Sequence, residues 1–179
     1  DMVLACRQGL YAAFPQEDAL FKPPCSTFVP SKHDANVPSV NILPGSDVFY
    51  LDCRLLPDVP QEAVLAEARR LAAAVAARHG VEITVDVEHA QPASAAPANS
   101  PVVRALERAV EQVYGVRARP VGIGGATVAA LLRRKGLPAA VWACIQNTCH
   151  QPDERASISA ARKDAQVFAH ILMQRDAHA

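Results

Sequence analysis

The chain has 179 residues, enough for one medium domain or two small ones, and its 18 basic residues balance 18 acidic ones. Half of the residues are hydrophobic and a fifth are charged, the usage of an ordinary soluble globular protein. No Lys/Arg run offers itself to nucleic acid or to an anionic membrane, and no apolar segment approaches the roughly 20 residues of a membrane span.

Met2-Val3-Leu4-Ala5-Cys6 reads as the inside of a helix with no start signal before it and no leader pattern, which predicts that natural chain precedes Asp1. The helix covers 2–14, with Val3, Leu4, Leu10, Tyr11 and Phe14 as its buried positions, and Pro15 ends it. Residues 25–30 suit a strand. So do residues 47–55, where Phe49, Leu51, Cys53 and Leu55 point one way and Tyr50, Asp52 and Arg54 the other. Asp58-Val59-Pro60-Gln61 has the form of a capping box, and Val64, Leu65, Ala68, Leu71, Ala72 and Val75 follow at helical spacing up to a stop at Gly80. Val81, Ile83, Val85 and Val87 alternate with Glu82, Thr84, Asp86 and Glu88, the pattern of a half-exposed strand. The order α-β-β-α-β, with one strand supplied upstream, gives a ferredoxin-like layer.

Residues 91–100 are small, polar or proline and read as a linker between domains. Ser100-Pro101 starts a helix whose stripe is Val102, Val103, Leu106, Ala109, Val110 and Val113, ended by Gly115. A strand at 117–122, a glycine turn, a helix at 127–135, a strand at 138–145 and a helix at 158–174 follow, the alternation of an α/β sheet and part of a larger one.

The five cysteines (Cys6, Cys25, Cys53, Cys144, Cys149) form no CxxC pair, which favours reduced thiols and a cytoplasmic setting. Three segments carry more glycine, proline and polarity than their surroundings explain. They are Val37–Gly45 with the strand ending in Asp52-Cys53-Arg54, then Gly122-Ile123-Gly124-Gly125-Ala126-Thr127, then Thr148–Glu154 after an apolar run. Singly, each has a plain structural account: Asn41 and Pro44-Gly45 build a turn, Gly124-Gly125 allow close packing, and Arg54 is a solvated charge. Chemically, a glycine turn before a helix favours an anion such as a carboxylate, and the planar fork of Arg54 suits the same group. The run lacks the order of a dinucleotide or P-loop site. A histidine just past a core strand of an α/β sheet stands where metals and ligands gather. Cys149 beside His150 also leaves a Cys–His thiol enzyme open.

Together the segments resemble the M20 metallopeptidases, the zinc-dependent aminoacylases, carboxypeptidases and succinyl-diaminopimelate desuccinylases. Asn41-Ile42-Leu43-Pro44-Gly45 and Asp52-Cys53-Arg54 match the family's lid signature. Gly124-Gly125 and His150-Gln151-Pro152-Asp153-Glu154 match the later segments of its catalytic domain, in the same order. The resemblance implies roles by position. His150 is a ligand of a two-zinc centre, Asn41 and Arg54 hold the substrate's carboxylate or reacting carbonyl, Gly124 and Gly125 contact the substrate end, and Glu154 orients the loop. It also implies a lid and dimerisation domain over 1–90, a linker over 91–100, and the C-terminal part of a zinc-hydrolase domain over 101–179. The expected parent is a homodimer, through the lid, that cleaves an N-acyl amino acid or small peptide with a free carboxylate. Ala126-Thr127-Val128 carries no acid where many members have one, which leaves the specificity open. The His-x-Asp segment and Glu-Glu pair that supply most metal donors in the family do not occur in this sequence. The chain alone is therefore expected to be inactive. The other class of reading is a non-catalytic ferredoxin-like dimerisation or ligand-binding module.

Overall fold

The computed structural model of the chain describes residues 2–146 and 148–174. Asp1, taken above as a cut end, and residues 175–179 of the expected hydrolase section lie outside the described residues. Packing divides the chain into two compact units. The first holds the chain up to Ala93 together with Gly122–Gly125, and the second holds Ser94–Val121 and the chain from Ala126 onward.

The first unit is built on α1 (Met2–Ala13), β1 (Thr27–His33), β2 (Phe49–Arg54) and α2 (Gln61–His79). Helix α1 buries Cys6 and Leu10, with Met2 packed on the same core. Positions 2, 6 and 10 fall on one face at i, i+4 spacing, which puts the expected core residue Leu4 on the other side, 58% exposed. At Gly9 the two helices meet: a Cβ there would stand 2.7 Å from the Leu71 side chain.

Strands β1 and β2 pair antiparallel from Thr27↔Arg54 to His33↔Phe49, with a bulge between Pro30 and Lys32. Phe28 is fully buried, edge-on to Tyr11 at 5.3 Å between ring centroids, and its N–H donates to the Tyr11 hydroxyl. Buried Ser26 accepts from the Leu56 N–H through Oγ at 3.0 Å, closing the exit of β2. Burial does not alternate along β2 as expected. Phe49 to Asp52 are all half-buried and Cys53 is exposed, because a two-stranded ribbon gains a sharply inner face only where another layer covers it.

The expected capping box at Asp58 is not formed. Val59 N–H bonds to Leu56 O and makes a turn, the helix starts at Gln61 after Pro60, and no side chain caps it. The Gln61 side chain bonds instead to the Gln91 carbonyl. Val64, Ala68, Ala72 and Val75 form the buried stripe of α2, and Gly80, at φ 63°, ends it as its lack of a Cβ allows.

The second unit contains α3 (Pro101–Tyr114), α4 (Val128–Arg134) and α5 (Ile158–Met173). Ala109 and Val110 of α3 and Val167 of α5 are wholly buried against each other. Tyr114 and Trp142 meet edge-on with centroids 5.7 Å apart. Ser157 caps α5, its Oγ accepting from Ala160 N–H at 3.3 Å.

The strands expected at 81–88, 117–122 and 138–145 carry no ladder. Alternating side chains define two faces, but a strand also needs a neighbouring backbone paired along its length, and among the described residues these runs form no such ladder. The 138–145 run is held differently. Asp164 of α5 accepts from Tyr114 Oη at 2.7 Å, from Trp142 Nε1 at 2.9 Å and from Cys144 N–H at 2.9 Å. Burial alone would raise the Asp164 carboxyl, but these donors, the Cys144 N–H foremost, outweigh it and hold it below the usual carboxylate range. Burial, then the same carboxylate, pushes the Tyr114 phenol upward. No described helix is long and apolar enough to cross a membrane.

Candidate functional site

Arg54 closes β2, opposite Thr27. Its Nε and Nη2 donate to Asp52 Oδ2 at 3.1 and 3.0 Å, a pairing that follows from their i, i+2 placement on one strand face. Its Nη1 donates to the Gly124 carbonyl at 3.1 Å. The guanidinium is thus held at both sides while its terminal nitrogens keep further N–H groups for a ligand. The side chain is about half exposed, so a carboxylate can reach it.

The glycine turn is anchored one step earlier than the sequence suggests. Gly122 N–H donates to Leu20 O at 2.7 Å, and a Cβ on Gly122 would stand 2.4 Å from the Phe21 ring. A Cβ on Gly124 would meet only Arg54 Cδ, at 3.5 Å, and one on Gly125 nothing within 4 Å. Gly122 therefore meets the packing demand, and Gly124 supplies an acceptor to Arg54.

Asn41 lies on the exposed loop between β1 and β2. The loop turns at Ser39, where Ile42 N–H bonds to Ser39 O at 3.2 Å and Ser39 Oγ donates to Asn41 Oδ1 at 2.6 Å. At the base of the loop, His33 Nε2 and Asn36 Nδ2 both lie 2.7 Å from Asp47 Oδ1.

His150 lies in the second unit, on an exposed loop, with φ 60°; Asp153, in the same loop, has φ 61°. Two non-glycine residues in the left-handed region within one short loop mean that local contacts dictate its path. Thr148 supplies them: its hydroxyl donates to Arg155 O at 3.3 Å and accepts from Arg155 N–H at 3.4 Å, while Gln151 N–H bonds to Thr148 O. Glu154 is exposed. Among the described residues no group of three His, Cys, Asp or Glu side chains stands ready to hold a metal ion. One imidazole is one donor, so the described residues do not by themselves offer a complete metal site.

The structure thus brings Arg54 and Gly124 together in the first unit and places Asn41 in that same unit. It sets His150 and Glu154 on one loop of the second. Gly122, Thr148, Asp164, His33 and Asp47 were not singled out from the sequence. Thr148 stands inside the His150 motif and Gly122 inside the glycine run, so both carried a signal. The two aspartates look like ordinary surface acids until their partners are known. All five cysteines are free.

The model of peptidase family M20/M25/M40 matches residues 10–174. An uncharacterized metallohydrolase of Methanocaldococcus jannaschii is 32% identical over 173 residues, covering 92% of this chain. A second uncharacterized metallohydrolase, from Methanococcus maripaludis, is 30% identical over 176 residues, or 91% of the chain. The chain spans only 42% of the length of each of these relatives. An M20 family metallo-carboxypeptidase from Sulfolobus solfataricus shares the fold, with a TM-score of 0.61 at 18% identity over 87% of this chain and 36% of its own. With a family match that runs through the lid-type signature, the glycine turn and the His150 loop alike, the chain belongs to peptidase family M20/M25/M40.

Proposed function

We propose that this chain is the substrate-gripping and C-terminal portion of a longer metal-dependent amidohydrolase that cleaves an N-acyl amino acid or a small peptide with a free carboxylate. The family match across 10–174 carries the reading. It is supported by a guanidinium held between Asp52 and Gly124 with N–H groups to spare, and by a relative of the same fold described as a metallo-carboxypeptidase.

Arg54 takes the substrate's carboxylate, Asn41 a carbonyl or carboxylate oxygen, and Gly124 and Gly125 line the substrate end. His150 donates to zinc, with Glu154 supporting its loop. Imidazole suits zinc, and the remaining donors belong to parts of the protein outside this chain. In this reading residues 1–90 complete a ferredoxin-like lid that pairs two copies of the protein, and the protein works in the cytoplasm.

The test compares this chain with the full natural chain for metal content and for hydrolysis of a panel of N-acetyl amino acids. Turnover by the full chain, abolished by a chelator and restored by zinc, is expected. Robust turnover by the present chain alone would overturn the division of labour.

A further inference from the structure

The end of the β1–β2 hairpin that carries the Asn41 loop is held by a frame of side chains. The bulge between Pro30 and Lys32 shifts the register so that Lys32 faces Tyr50 and His33 faces Phe49. Beyond it, Asp34 N–H bonds to Val48 O at 3.0 Å, the last backbone link before the loop opens. Lys32 Nζ then lies 2.8 Å from Asp34 Oδ1 and 4.3 Å from the centre of the Tyr50 ring, while Tyr50 Oη donates to Asp34 Oδ2 at 3.0 Å. Next to it, Asp47 Oδ1 accepts from His33 Nε2 and Asn36 Nδ2, each at 2.7 Å. Each of two carboxylates thus takes two donors. The Lys32 hydrogen bond, and then that of Tyr50, hold the Asp34 carboxyl below its usual range.

Such a frame adds little to global stability. Its ion pairs are exposed on both sides, and exposed pairs of this kind contribute little because water screens them. What it does is local. It joins the two ends of a loop whose own hydrogen bonds are confined to the Ser39 turn. Loop ends held in a fixed relation leave the tip fewer conformations to lose when a ligand binds, and that gain appears as affinity.

We propose that Asp47, with Asp34, is a positioning residue for substrate: by clamping the base of the loop it presents Asn41 in its binding geometry. The inference rests on the substrate-binding role proposed above for Asn41, and its test separates the two.

In the full natural chain, Asp47→Ala, Asp47→Asn, Asp34→Ala and Asn41→Ala are compared by limited proteolysis between residues 37 and 46 and by steady-state kinetics on N-acetyl amino acids. Asp47→Ala is expected to speed loop cleavage about tenfold, because cleavage follows the population of the open loop. It raises KM about five- to twentyfold with kcat within about twofold, the signature of lost binding shared by ground and transition states. Asp34→Ala shifts both readings the same way. Asp47→Asn keeps an oxygen acceptor for His33 and Asn36 and returns both readings close to the parent, which a loss of charge alone would not do. Unchanged loop cleavage in both aspartate-to-alanine variants overturns the clamp, and this reading holds whichever substrates the enzyme accepts. Faster cleavage with unmoved KM, where Asn41→Ala does raise KM, overturns the positioning role. An Asn41→Ala variant with parental KM overturns the role of Asn41 and, with it, the presentation of that residue by Asp47.

Discussion

The Arg54 guanidinium donates to the Gly124 carbonyl at 3.1 Å, joining the end of β2 to a turn 70 residues later in the chain. A lysine at 54 would keep the charge and lose the fork that serves Asp52 and Gly124 and, in the function proposed above, a substrate carboxylate. Arg54→Lys in the full natural chain is therefore expected to raise KM for N-acyl amino acids about tenfold or more, while Tm shifts little because the side chain is half exposed. Kinetics beside a thermal melt checks this. A parental KM would remove Arg54 from substrate binding.

Gly122 and Gly125 are three residues apart but face different surroundings. A Cβ at 122 drives into the Phe21 ring, and one at 125 meets nothing within 4 Å. Gly122→Ala is expected to destabilise by about 1–3 kcal/mol, and Gly125→Ala to stay within about 0.5 kcal/mol. Chemical denaturation measures both. Combining Gly122→Ala with Phe21→Ala should cost less than the sum of the single changes, since the second removes the obstacle.

Two serines precede helices and do opposite things. Ser157 Oγ accepts from Ala160 N–H, whereas Ser100 Oγ is buried without a hydrogen-bond partner. Ser157→Ala should cost about 0.5–1 kcal/mol, an ordinary capping loss. Ser100→Ala should be neutral or stabilise by up to about 1 kcal/mol, because it removes a buried hydroxyl that gains nothing. Urea midpoints of the two variants at unchanged m-value decide the contrast.

Asp164 links stability to acid. Its carboxyl sits below the usual range, so the folded state favours the charged form. The contribution is complete above the unfolded value of about 3.9 and is lost as pH falls through that value toward the folded one. Asp164→Asn should lower the urea midpoint at pH 7, and the gap to the parent should narrow steadily below about pH 4. A gap independent of pH would show that the carboxylate's charge is not what holds the Cys144 segment.

Helices proved the most legible elements, because a 3.6-residue period is written in neighbouring residues. The five helices among the described residues lie where the sequence pattern expects them, with ends moved by only a few positions. The two strands expected at 25–30 and 47–55 were legible too, as β1 and β2. Partnership was not. Val81–Val87 alternates as cleanly as any strand, yet which backbone it would join is a long-range fact that alternation does not encode. Asp58 reads as a cap until the turn made by Leu56 and Val59 moves the helix start beyond its reach. The motifs of the candidate site were visible as residue types in order. Their supports were not, because Thr148, Asp164 and Asp47 act through partners that only folding brings within reach.

The first unit takes back Gly122–Gly125 after the chain has left it at Ala93. On a ribosome it therefore cannot finish when its main stretch emerges. Residues 94–121 must be made first, which at roughly 5–20 residues per second takes on the order of one to six seconds. Throughout that interval the Leu20 carbonyl and the Arg54 fork lack the turn that later engages them. A nascent chain arrested at Ala93 should carry an Arg54 loose at the end of its strand. Arrest with Gly125 clear of the ribosome should fix it, so the anchorage of Arg54 is set by the timing of synthesis.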